Sequence, residues 1–94
     1  MIEPITRLRR SSDVRYRHIP PETLLIRQSG PEILVLNGIA GRLLDLLSPG
    51  VTAGELVGAM QREYEGPPAD IERETLAFLD DLLGSGIVEV DTGG

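Results

Sequence analysis

The six residues Glu32-Ile33-Leu34-Val35-Leu36-Asn37 constrain the fold of this chain more than any other stretch, because an apolar run stops there at an asparagine and passes straight into a helical pattern. Odd and even positions of the run are both apolar, so the strand it predicts is covered on each face. With 94 residues, one domain is expected, burying somewhat over half of its unfolded surface. Little of the chain is left to cover both faces of one strand, and the pattern points to something else lying against it.

Upstream, Val14, Tyr16 and His18 alternate with Arg15, Arg17 and Ile19, as a half-exposed strand requires. Pro20-Pro21-Glu22 ends that strand, Thr23 to Arg27 makes a second, and Ser29-Gly30-Pro31 reads as the turn into the third, Ile33 to Leu36. The three form a small antiparallel meander. Beyond Asn37, a good helix N-cap, the apolar positions Ile39, Ala40, Leu43, Leu44, Leu46 and Leu47 take helical spacing until Ser48-Pro49-Gly50. Thr52-Ala53-Gly54-Glu55 has the form of a capping box and opens a second helix that buries Leu56, Val57, Met60 and Tyr64. Gly66-Pro67-Pro68 breaks it. A third helix runs to about Leu83, with Asp70, Glu72 and Glu74 favourably placed near its positive end. Gly84-Ser85-Gly86 closes that helix, and Ile87 to Val90 is a last strand or wing. Residues 1–12 show no sustained period and are expected to form a flexible arm; residues 13–90 make the domain, and residues 91–94 a disordered tail. The fold class is α+β, a winged helix-turn-helix: a three-stranded antiparallel sheet followed by three helices and a short C-terminal extended segment.

Composition removes several function classes. The absence of cysteine excludes disulfides, cysteine-ligated metal and thiol catalysis. No apolar stretch is long enough to span a membrane and no secretory signal is read, so a cytoplasmic protein is expected. Residues 1–50 hold seven arginines against five acids, whereas residues 51–94 hold two against ten. A winged helix invites a DNA-binding or adaptor reading, but the third helix offers Arg73 among Asp70, Glu72, Glu74, Asp80 and Asp81, a surface that repels phosphates. His18, the only histidine, lies far in sequence from any serine and acid that would complete a nucleophilic site, and is read as structural or exposed. Asp80-Asp81 and Glu72/Glu74 do not face each other on a helix, so no metal or cofactor site is read from them.

Binding remains. On a helical wheel Ile71, Thr75, Phe78 and Leu82 fall within about 60 degrees, and Leu79, Leu83 and Leu76 widen the apolar arc to about 140 degrees. The first set is expected to face the core. The second, bordered by Arg73 and Asp80, is expected to form one wall of an apolar groove, with Ile33, Leu34, Val35 and Leu36 at a sheet edge as the other. An extended peptide adds there as a further strand. The same open edge would also serve a homodimer.

Val14-Arg15-Tyr16-Arg17, Leu36-Asn37, Glu63-Tyr64 and Phe78-Leu79-x-x-Leu82-x-x-x-Gly86-Ile87-Val88, in this order and spacing, resemble the pyrroloquinoline quinone (PQQ) biosynthesis protein D family, over about Arg10 to Val90. The resemblance implies the peptide-recognition element of pathways that modify ribosomally made peptides (RiPPs). Such a domain is no enzyme: it binds the leader segment of a precursor peptide between the third strand and the third helix. It then delivers that peptide to a radical S-adenosylmethionine (radical SAM) maturase or, in lasso-peptide pathways, to a leader peptidase. Carried over by position, strand and helix are Ile33 to Leu36 and Ile71 to Leu83.

Overall fold

In the computed structural model, which describes residues 2–30 and 32–92, the elements run β1 (Arg7–Arg10), β2 (Val14–Ile19), β3 (Glu22–Arg27), β4 (Ile33–Leu36), α1 (Gly38–Leu46), β5 (Val51–Thr52), α2 (Ala53–Glu63), α3 (Pro68–Gly84) and β6 (Val88–Val90). Strands β2, β3 and β4 pair antiparallel in chain order, with Tyr16 opposite Leu25 and Leu25 opposite Leu34. This is the predicted meander. Alternation turns Val14, Thr23, Leu25, Leu34 and Leu36 toward α1 and the core. Pro20-Pro21, with a cis peptide, joins β2 to β3. At the opposite end Asp13 accepts hydrogen bonds from the Ser29 amide at 2.8 Å and the Ser29 hydroxyl at 2.6 Å. Pro31, the last residue of the expected turn there, lies outside the described residues.

The helix starts follow their local chemistry. Asn37 Oδ1 accepts from the Ala40 amide at 2.9 Å. Thr52 Oγ1 accepts from the Glu55 amide at 3.1 Å while the Glu55 carboxylate accepts from the Thr52 amide at 2.9 Å, completing the capping box. The two amides that this box leaves over, those of Ala53 and Gly54, donate to the carbonyls of Thr6 and Pro4, both at 2.9 Å. Arg42 forks onto Glu63 at 2.7 and 2.8 Å and ties α1 to the end of α2. At the other end of α3, the Arg27 guanidinium donates to the Ser85 carbonyl, placing a cation where the helix carries partial negative charge.

The N-terminal arm is corrected by the structure. Arg7–Arg10 is the central strand of a second sheet, ordered β5-β1-β6, with Leu8 opposite Val51 on one side and Val90 on the other. Leu8 is fully buried and Ile2 is 4% exposed, so the packed unit begins well before residue 13. Of the expected tail, Asp91 donates its amide to the Arg7 carbonyl at 2.8 Å, and Gly93 and Gly94 lie outside the described residues. The core, centred on Leu8, Leu25, Leu43, Leu44, Leu56 and Leu79, is the space that both sheets and the three helices enclose.

His18 belongs to a polar clamp between β2, β3 and α1. Its Nδ1 lies 2.8 Å from Thr23 Oγ1 and its Nε2 lies 2.9 Å from Asp45 Oδ2, while the Tyr16 hydroxyl donates to Asp45 Oδ1 at 2.7 Å. Hydroxyl, imidazole and carboxylate stand in the order of a nucleophilic relay, but Thr23 is 1% exposed, so its oxygen has no access to a substrate. Gly41 is required here, because a methyl group on its Cα would collide with Thr23 Oγ1 and stand 3.2 Å from His18 Cε1. Burial alone would raise the pKa of Asp45. Hydrogen bonds from Tyr16 and His18, with the charge of Arg42, outweigh it and hold the carboxyl below its ordinary value.

Two outcomes follow. Leu8→Ala is expected to lower unfolding free energy in denaturant titrations by about 2–5 kcal/mol, the range for emptying a fully buried leucine site, where a loose arm gives no change. Because the folded pKa of Asp45 is depressed, its contribution is complete above the unfolded value near 3.8 and is lost as pH falls through the folded value. Asp45→Asn is therefore expected to flatten the acid limb of a stability-against-pH curve.

Candidate functional site

Backbone geometry alone defines the first half of the site. Among the described residues β4 has one strand partner, β3, so its far side is an open edge. Arg27 donates to the Glu32 carbonyl at 3.3 Å, which makes this pair hydrogen-bonded. Alternation along the register then turns the amides and carbonyls of Leu34 and Leu36 toward β3 and those of Ile33 and Val35 toward the open edge. The other sheet junction agrees, since the Gln28 amide donates to the Asp13 carbonyl at 2.8 Å and so assigns even-numbered β3 residues to β2. Side chains follow the same alternation. Leu34 and Leu36 are half-buried against the core, whereas Ile33 and Val35 are 61% and 58% exposed.

The second half is a trough along α3. Thr75, Leu79 and Leu82 anchor the helix in the core. Ile71 and Phe78, half-buried, line a groove of about 170 Å³ together with Ile39 from α1 and Met60 and Tyr64 from α2, and Glu65 and Glu74 stand at its rim. Its nearest point in sequence to β4 is Ile39, 40% exposed, three positions beyond Leu36. A hollow of about 250 Å³ continues past Glu74 and Phe78 to Ala77 and Asp81. The trough is therefore aliphatic and aromatic at its floor and anionic at its lip.

The sequence reading placed the groove wall on the opposite flank of α3. Leu79 is fully buried and belongs to the core, which corrects its assignment to the surface. Leu76 and Leu83 are half-buried and pack against the core cluster. Asp80 accepts from the Ile2 amide at 3.2 Å, and Arg73 forms an ion pair with Asp70 at 2.8 Å. The reason is the second sheet: β6 packs on α3, and the segment leading into β1 reaches Asp80, so that flank is already occupied. The structure brings Ile39, Tyr64, Ile71 and Phe78 together in the trough among α1, α2 and α3, and it sets Ile33 and Val35 on the open edge strand that leads into α1. Of the set expected to face the core, Thr75 and Leu82 are buried, and Ile71 and Phe78 pack half-buried against it and also line the trough, whereas Tyr64 is 36% exposed rather than buried. One signal pointed to them: Glu74, Phe78 and Asp81 share a helical face, an aromatic ring between carboxylates.

The arrangement offers an unpaired backbone edge and an apolar trough. Among the described residues no cluster of three histidine or carboxylate side chains assembles as a metal site, and no helix is long and apolar enough to cross a membrane.

The sequence model of the family described as Coenzyme PQQ synthesis protein D (PqqD) matches residues 22–88. The chain is similar to the solved structure of TbiB1 in complex with the TbiA(beta) leader peptide, at 27% identity and TM-score 0.74, over 86% of this chain and 94% of that one. It shares its fold with a lasso peptide synthetase B1 complexed with the leader peptide, at 20% identity and TM-score 0.73, over 88% and 98% of the two chains. Among curated proteins no relative matches.

Proposed function

The chain belongs to the coenzyme PQQ synthesis protein D family, and from that premise we propose that it is a non-catalytic carrier for the leader segment of a ribosomally synthesised precursor peptide. In the cytoplasm it holds the leader as a strand added to β4 and presents it to a modifying enzyme, a radical SAM maturase or a leader peptidase. The observation that carries this reading is the pair of outward-facing backbone units at Ile33 and Val35 on an edge strand, which runs directly into α1 and Ile39 at one end of an apolar trough. Successive side chains of an added strand point to opposite faces, so every second residue of the leader enters the trough between β4 and α3. At about 170 Å³ the groove accepts one or two aliphatic or small aromatic side chains. Glu65, Glu74 and Asp81 at its lip favour a leader with a basic residue at that point. The closed Thr23-His18-Asp45 clamp supports a role in presenting substrate without altering it.

The direct test is titration of the synthetic leader peptide encoded beside this gene, followed by backbone amide shifts. Perturbation is expected along residues 33–36 and around Ile39, Tyr64, Ile71 and Phe78; shifts confined to other regions overturn the site. Val35→Pro removes an amide that faces the edge, and is expected to keep the fold and weaken leader binding about tenfold, the value of one hydrogen bond plus the ring's obstruction. Leu34→Pro, whose amide bonds to β3, is expected to unfold the sheet. Retained binding by folded Val35→Pro would rule out strand addition at this edge. Reversal of charge in the pair Glu74→Arg/Asp81→Arg is expected to slow association of a basic leader about tenfold at low salt and to lose most of that effect at high salt.

A further inference from the structure

The meander has a second face that nothing within the described residues covers. Opposite the core-facing positions, β2 presents Arg15, Arg17 and Ile19, β3 presents Glu22, Leu24 and Ile26, and β4 presents Ile33 and Val35. The register sets them in rows: Arg15, Ile26 and Ile33 across one, and Arg17, Leu24 and Val35 across the next. Ile19, Ile26, Ile33 and Val35 are between 45% and 61% exposed. Antiparallel sheets with one wet face carry polar residues there, so adjoining rows of aliphatic side chains on β3 and β4 mark an interaction surface.

We infer that this outer face is the docking surface for the enzyme that acts on the bound precursor, a protein that presents an aliphatic patch rimmed by carboxylates; the inference rests on the carrier reading above. Charge argues for that chemistry. The chain carries a formal net charge of −6, yet this face holds two arginines against Glu22, and neither Arg15 nor Arg17 is in an ion pair among the described residues. A second copy docked two-fold on the same face would bring two more arginines to it with one carboxylate, a mismatch of like charge. Position argues for the same partner. The arginines lie on β2, away from the open edge, and the aliphatic rows run from them to β4. A leader strand on that edge extends the face, because its alternate side chains fall beside Ile33 and Val35. An enzyme seated there touches carrier and leader at once and binds the loaded carrier more tightly than the free one. By linkage, the leader gains the same factor in affinity from the enzyme.

The test is calorimetric titration of the leader-processing enzyme encoded beside this gene into the carrier, free and loaded with synthetic leader. The variants are Arg15→Glu/Arg17→Glu and Ile26→Asp, and leader affinity is measured separately for each. Both variants are expected to weaken enzyme binding about tenfold or more while leader affinity stays within about twofold of wild type. Unchanged enzyme binding in folded variants with normal leader affinity overturns the inference and leaves the carrier reading intact. Failure of the wild-type chain to bind leader at all overturns the carrier reading instead. Concentration-dependent self-association that Ile26→Asp abolishes shows a face between copies, and also overturns the inference. Where Ile26→Asp does not fold, the exposed arginine pair decides.

Discussion

Insertion of β1 between β5 and β6 determines where the longest helix lies, and through it which of its flanks is left open. Leu8 fills the centre of the core from that strand, and the segment before it satisfies the first amides of α2 through the Pro4 and Thr6 carbonyls. The same segment hydrogen-bonds Asp80, so one flank of α3 is sealed by the N-terminal sheet. The helix is left with one free flank, that of Ile71, Phe78 and Glu74, on the side of the trough. Arg27 then holds the far end of α3 to β3 through the Ser85 carbonyl. The trough is thus a consequence of how the remainder of the helix is covered.

That dependence explains what sequence reasoning reached and what it missed. Local signals were sufficient wherever neighbours in sequence supply the partner: Asn37 caps α1, Thr52 and Glu55 cap each other, and the alternation of Val14 to Ile19 and the run Ile33 to Leu36 both became strands of the predicted meander. The edge position of β4 was legible for the same reason. β1 was not, because Arg7-Leu8-Arg9-Arg10 shows one apolar residue among arginines and is stabilised by partners more than forty positions away. An apolar arc as wide as that of α3 records how much of the helix is covered but not which margin, since the choice is made by β6 and Ile2. Leu79, expected on the groove wall, therefore lies in the buried stripe with Thr75 and Leu82, while Ile71 and Phe78, expected to face the core, pack against it and also line the trough.

The two faces next to the open edge differ in electrostatic character. Toward α3 the lip is acidic, with Glu65, Glu74 and Asp81; on the outer face the flanking charges are Arg15 and Arg17. A strand added to β4 would therefore meet the acidic lip on its trough side, while the arginines stand two strands away on β2. In the proposed carrier role a basic residue on the trough side would favour one facing of the added strand.

β4 is four residues long, and only Ile33 and Val35 direct their peptide groups outward. Main-chain pairing with a visitor is capped at four rungs. At about 0.5–1.5 kcal/mol net for each, that ladder contributes about 2–6 kcal/mol, toward the low end of the roughly 4–15 kcal/mol lost when two bodies become one. In the carrier role proposed above, the ladder would dictate alignment and leave the tenacity of the union to the few side chains that drop alongside Phe78 and Tyr64. Such a division of labour lets cargo sequences drift at most positions so long as their spacing is kept.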